Sequence, residues 1–307
     1  MAWARSFLPR NDRPRWQDGS VVSAKGACTL DPSEVQMLVA GLKARTLQQI
    51  AVIEMEGAIG PRLKPPEFVK LLRSIEDNDR IRAVVLDIDS PGGSATGSNY
   101  LHIAVSSLAK RKPVVAFIRG LGASGAYLLS CPANRIIAIP SALVGSIGVI
   151  SSRPLVYEAL SKIGVNMHVT KSDRLKDMGS MFREPTEEEE KKELELVEDL
   201  YDQFLDSVAA GRKMDRAQVR ALATGEVYTA RKAIGLGLVD ELGDLERAID
   251  LAAELGDAPR KPVWLHPKRG LRDLVSTMMA GAVVGEVVNQ LEERIYSRTQ
   301  YLFEHRS

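Results

Sequence analysis

The residues best suited to chemistry lie in GLGASGA, Gly120 to Ala126, where a single hydroxyl, Ser124, is surrounded by glycine and alanine. At a strand-to-helix junction such small neighbours expose the serine and leave room for a substrate backbone, with the Gly125 N–H aimed at a developing oxyanion. A second run, DSPGGS from Asp89 to Ser94, carries a glycine pair. Its backbone could bring an N–H within about 3 Å of a tetrahedral intermediate. Each run alone reads equally well as packing or as an ordinary Pro-Gly turn. Together they are far more specific, because each supplies half of an oxyanion hole. The serine still needs a base. None of His102, His168, His266 and His305 stands in a triad pattern, and the first two read as surface or satisfied core residues. A lysine can serve when burial or neighbouring cations hold it neutral. Lys171 and Lys176 both fall in the polar loop after the last expected strand, and the residue pattern does not choose between them.

These residues require elements to hold them. IAVIEMEG (Ile50 to Gly57), AVVLDID (Ala83 to Asp89) and PVVAFI (Pro113 to Ile118) read as buried strands, with RIIAI (Arg135 to Ile139), GVIS (Gly148 to Ser151) and VNMHVT (Val165 to Thr170) as shorter ones. Helical spacing over Glu67 to Ile75, Leu101 to Leu108, Ser124 to Leu129 and Pro154 to Ile163 fills the intervals. The alternation predicts an α/β fold of βαβ units with a mostly parallel sheet covered on both faces, plus a helical C-terminal part. DSPGGS then sits at the carboxyl end of a parallel strand, where the sites of open α/β sheets gather. Beyond Thr170 helices dominate. Thr186 with Glu189 predicts a capping box, after which Leu194, Val197, Tyr201, Phe204 and Val208 keep one apolar face as far as Gly211. The acids Glu187 to Glu190 favour the dipole of that first turn and need no other role. Shorter helices follow at about 216–223, 230–236 and 245–255.

Composition excludes several classes. A chain of 307 residues that is 45% hydrophobic can build a sizeable core. A net charge of +1 argues against a nucleic-acid partner. Cys28 and Cys131 lack CxxC spacing, so neither zinc nor a disulfide framework is expected, and a reducing compartment fits. No repeat is visible. Residues 1–45 form a flexible N-terminal segment in this reading, with a membrane-surface patch as the alternative role of its basic residues. Arg5, Arg10, Arg13 and Arg15 precede no apolar run of the about 7–15 residues that a secretory signal needs. Near the other end, the uncharged stretch Leu274 to Gly285 falls short of the roughly 20 residues that span a bilayer. The expectation is a soluble, cytoplasmic protein, or one peripheral to a membrane. Residues 257–307 read as a strand and an amphipathic helix extension. The Gly281/Gly285 pair there suits helix packing in a core or oligomer, with membrane contact or a self-cleaved tail as alternatives.

In this order, DSPGGS, GLGASGAYLLSCPANRIIAIP, GSIGVI, TKSDRLKDM and GEVYTARKAIGLGLVDELGD resemble the signal peptide peptidase A family. These are Ser-Lys peptidases on a Clp/crotonase-like fold. The resemblance covers about two-thirds of the chain, Gln48 to Leu255, and implies a peptidase domain over about 46–256. It places the nucleophile on Ser124, the general base on Lys176 rather than Lys171, and the hydroxyl that orients that lysine on Ser146. Oxyanion donors fall on the backbone of Gly125 and of the Gly92-Gly93 pair, Gly93 being preferred. Clp-type proteases carry a histidine after the nucleophile helix, where this chain reads GSIGVI. The glycine usual in the family after Ser-Gly is Ala126 here, a small change.

The resemblance further implies two acyl-transfer steps, with neutral Lys176 taking the Ser124 proton and returning it to the leaving amine. Such a lysine must be desolvated, and in the family closure comes from ring-like homo-oligomers whose grooves are shared between subunits. Expected substrates are apolar peptides such as signal-peptide remnants. No metal or cofactor is expected. Two other readings stay open: a catalytically inactive relative acting as a membrane-associated scaffold, and a crotonase-type acyl-CoA enzyme. The latter would use carboxylates and would not need the serine of GASGA.

Overall fold

Parallel strands buried on both faces need near-continuous apolar runs, and the computed structural model turns the runs of this sequence into such a sheet. It describes residues 48–267 and a short antiparallel ladder of β1 (Trp16–Gln17) and β2 (Ser20–Val21). The main sheet holds β3 (Gln49–Glu56), β4 (Ile81–Ser90), β5 (Val114–Ala123), β6 (Arg135–Ala138), β9 (Glu241–Leu242) and β10 (Pro262–Trp264). Their order is β10-β3-β4-β5-β6-β9, parallel throughout. Two short strands, β7 (Leu143–Gly145) and β8 (Val227–Thr229), extend it: β7 pairs parallel with the end of β5, and β8 antiparallel with β7.

Successive residues of each strand face opposite layers. On one face Ile53, Leu86 and Ala116 pack with helices α1 (Pro65–Glu76) and α2 (Ala95–Arg111) through Leu72, Val105 and Leu108. On the other, Val52, Val85 and Phe117 meet Ile249 and Ala252 of α8 (Leu245–Leu255). The remaining helices are α3 (Gly125–Ser130), α4 (Tyr157–Lys162), α5 (Glu187–Arg212), α6 (Arg216–Leu222) and α7 (Ala230–Gly235). The expected capping box of α5 forms, with Thr186 and Glu189 bonding reciprocally. Pro262–Trp264 pairs with Ile50–Val52, and the compact unit runs through Leu265.

Two expected strands do not form. GVIS and VNMHVT have no ladder partner, and both runs carry exposed apolar side chains. The ladder beside them stops at Gly145, because Ser146 turns with φ 48° and leads the chain away. No helix among the described residues is long and apolar enough to cross a membrane. The expectations for Cys28, His305 and the Leu271–Tyr296 stretch fall outside the described residues.

Candidate active site

β5 and β7 bring two serines side by side. Ala123 pairs with Gly145, and the next N–H along, that of Ser124, donates to the Gly145 carbonyl at 2.8 Å. Both residues that follow this pair take left-handed φ values, 52° at Ser124 and 48° at Ser146. Non-glycine residues in such regions cost on the order of 1–3 kcal/mol, which the surrounding structure must offset. The conformation lifts Ser124 out of the ladder at the start of α3. Its hydroxyl has no hydrogen-bond partner among the described residues. The neighbouring Gly125 carries the first N–H of α3, which no earlier helical carbonyl can accept.

DSPGGS closes against this turn. Ile59 uses both its backbone groups on the residues that flank Gly93: its N–H donates to Gly92 O at 2.7 Å, and its carbonyl accepts from Ser94 at 3.0 Å. In a parallel bridge of this kind the central residue directs its own N–H to the opposite side. That leaves the Gly93 N–H unbonded among the described residues, and Gly93 lines the same cleft as Ser124 and Gly125. Gly92 differs, since its N–H donates to Ser90 Oγ at 3.2 Å. Of the two glycines, Gly93, the one preferred from the resemblance, is the one whose N–H has no acceptor among the described residues. Both need to be glycine. With φ 147°, a Cβ on Gly93 would lie 2.3 Å from Ile59 O, and one on Gly92 would lie 2.6 Å from Gly125 N. Asp89 ties the two motifs together by accepting the Leu121 N–H at 3.0 Å.

The cleft has a volume of about 830 Å³. Ser124, Gly125, Gly93 and Ser146 meet in it, with Leu128 and the α5 residues Val197, Leu200, Tyr201 and Phe204 as an apolar wall. Thr96, Ser98 and Asn99 of α2 supply a polar wall. Ser98 also backs the oxyanion side: its Oγ donates to Ser94 O at 2.8 Å and would lie 2.0 Å from a Cβ on Gly125. Ser98, Ile59 and the α5 wall were not singled out from the sequence. Ile59 carries no motif, and the wall residues had been read as ordinary core periodicity.

No histidine serves Ser124 within the described residues. His102 Nδ1–H donates to the Leu128 carbonyl at 2.9 Å, and burial lowers its pKa, so it is a neutral, satisfied core group as expected. His168 and His266 are exposed and do not line the cleft. Cys131 is buried behind α3, where desolvation pushes its thiol up to about 12, so it offers no thiolate. No group of His, Cys, Asp and Glu among the described residues could hold a metal ion.

Lys176 is the one expected site residue that does not join the others. It is exposed on a run of turns between α4 and α5, and it does not line the Ser124 cleft. The desolvation expected of a general-base lysine is thus not present in a single chain. Its rival Lys171 donates to Asp177 Oδ1 at 2.5 Å and to the Arg174 carbonyl at 3.0 Å. Of the two, Lys176 alone has no side-chain partner among the described residues.

Similar proteins are known, and they name a family for the chain. The model of peptidase family S49 matches residues 106–258. A chain named as a candidate protease in Methanocaldococcus jannaschii is 34% identical over 76% of this chain and 77% of that one. A chloroplastic serine protease, SPPA, of Arabidopsis thaliana is 31% identical over 77% of this chain and 37% of its own length. A candidate signal peptide peptidase SppA of Enterococcus faecium is 36% identical over 60% of this chain and 54% of that one. With the serine turn, the glycine bridge and these relatives in place, the chain belongs to peptidase family S49, the signal peptide peptidase A family of serine peptidases.

Proposed function

We propose that this peptidase cleaves extended apolar peptides through a Ser-Lys dyad whose two members come from neighbouring copies of the chain. The observation that carries the cleavage reading is the meeting, under one apolar wall, of a free Ser124 hydroxyl with two unbonded backbone N–H groups, those of Gly93 and Gly125. Ser124 Oγ attacks the peptide carbonyl as the Lys176 amine removes its proton. The two N–H groups receive the oxyanion, each contributing about 3 kcal/mol if they match a single donor measured elsewhere. The charged lysine then protonates the leaving amine, and water hydrolyses the acyl-enzyme. Ser146, next to Ser124 and free to donate, holds the lysine amine in line.

The position of Lys176 supports delivery from a second copy. Its turn is tied by Arg183 to Glu189, near the start of α5, whereas Phe204 of the same helix lines the Ser124 cleft. The α5 residue of that cleft nearest to Glu189 is Val197, and at 1.5 Å per residue it lies about 12 Å from Glu189 along the helix axis. The segment leading to Lys176 is also apolar where it is exposed, with Ile150 at 89% and Ile163 at 72%. Apolar groups open to water in that number mark an interaction surface. Covering them with another chain would desolvate the lysine that the chemistry needs neutral.

Substrate class follows from the wall. Leu128, Val197, Leu200 and Phe204 offer no charge to a peptide, Glu198 is the one charged side chain in the lining, and open backbone at Gly93 and Gly125 accommodates any main chain. A fluorogenic peptide series tests this directly. Peptides with alanine, leucine or valine before the cut are expected to show kcat/KM at least about tenfold above matched peptides with aspartate there, since stranding an anion on an apolar wall beside Glu198 costs at least about 1.4 kcal/mol. Equal cleavage of both sets would remove the apolar assignment.

A further inference from the structure

Lys176 stands on a run of turns closed by local backbone bonds, Lys176 N to Asp173 O at 3.2 Å, Met178 N to Leu175 O at 3.1 Å and Ser180 N to Asp177 O at 3.0 Å, with Lys171 on Asp177 and the exposed Arg174 on Glu188 as further side-chain ties. Such turns have no packed core of their own, so something else must fix where the amine points. The next residue, Asp177, is gripped by Arg183, whose Nε and Nη2 donate to its two carboxylate oxygens at 3.0 and 2.9 Å. The same guanidinium takes both oxygens of Glu189, Nη1 donating to Oε2 at 2.7 Å and Nη2 to Oε1. Its last proton goes to the Glu184 carbonyl at 2.9 Å. All five donors of one arginine are thereby used, in two forked pairs that no other side chain can reproduce.

Glu189 anchors the far end. It is 1% exposed and closes the capping box of α5, accepting the Thr186 N–H at 2.9 Å. The Arg183 guanidinium and then the Thr186 N–H hold its carboxyl down at about 2. Hydrogen bonds from Arg183 and then Lys171 hold Asp177 well below the usual carboxylate range. Linkage therefore runs one way: the contribution of Glu189 is complete above its ordinary 4.5 and is lost only as pH falls through about 2. The clamp stays charged wherever a lysine could act as base.

We infer that Arg183 is a positioning residue for catalysis, fixing the Lys176 turn to the start of α5 through Asp177 and Glu189. The inference rests on the reading of Lys176 as general base. Arg183 touches neither substrate nor Ser124; it acts through the residue beside Lys176. A base displaced by about 1 Å loses on the order of 10²-fold in rate without any change in how substrate binds.

The test compares Arg183→Gln and Arg183→Lys with wild type and Lys176→Ala, in full-length protein sized in solution, using one cleaved peptide. For Arg183→Gln the expected result is a fall in kcat of about 10- to 100-fold with KM and assembly unchanged. Faster tryptic cleavage after Lys171, Arg174 and Lys176 should accompany it. Arg183→Lys, which keeps the charge but cannot fork, should recover only a small part of kcat. Unchanged kcat in Arg183→Gln, alongside an inactive Lys176→Ala, would overturn the positioning role and leave the base in place. A rise in KM or loss of assembly matching the whole effect, in both Arg183 variants, would also overturn it in favour of a purely structural role. Full activity in Lys176→Ala would instead overturn the base reading itself, and the inference with it.

Discussion

Replacing Ser124 by alanine is expected to lower kcat for peptide cleavage by about 10⁴-fold or more, with assembly and melting temperature close to wild type. The magnitude follows from the role. Without the hydroxyl no acyl-enzyme forms, and only the oxyanion donors and binding remain to favour attack by water. At 1.36 kcal/mol per decade, that is about 5 kcal/mol or more of lost transition-state stabilisation. The fold should tolerate the change because the Ser124 side chain makes no hydrogen bond; its N–H to Gly145 and the turn around it are backbone interactions. A fluorophosphonate that labels the wild type should fail to label the variant, which separates a lost nucleophile from lost substrate binding. Equal cleavage by the variant would remove the nucleophile assignment.

The second large effect is expected at Lys176. Lys176→Ala should lower kcat by about 10³-fold or more, with KM little changed, because the proton on Ser124 then has no acceptor in the cleft. The neighbouring Lys171→Ala serves as the contrast. It removes one of two cations from Asp177 but leaves Arg183 in place, so its effect should be far smaller. Two lysine variants of equal activity would show that neither is the base.

How far the sequence could be read depended on whether each feature was local. Ser124, Gly125 and the Gly92-Gly93 pair were legible because tight backbone approach demands glycine wherever it occurs, and few other arrangements require two such runs. The central strands were legible too, since burial on both faces leaves an apolar run that a turn must interrupt. What failed was partnership. VNMHVT alternates as a strand would, yet Val165, Met167 and Val169 remain exposed and unpaired in the single chain. GVIS is apolar for the same reason that Ile150 lies open: its surroundings are not supplied by its own sheet. In the other direction β8 and β9, three and two residues long, are too short to carry any period. The preference for Gly93 over Gly92 came from the resemblance alone; its physical reason, the bond from Gly92 N to Ser90 Oγ, is encoded by no spacing. Arg183 was likewise invisible, being one basic residue among many until its five donors are counted.

The measurement that bears most directly on the account is complementation between two inactive variants. Ser124→Ala and Lys176→Ala would be co-expressed with different tags, purified through both, and assayed on an apolar peptide. If the serine of one copy is served by the lysine of the next, mixed assemblies regain sites that hold both intact residues, about a quarter of all sites under random assembly. The account therefore predicts activity near that fraction of wild type. Mixed assemblies that remain as inactive as either variant alone would contradict it.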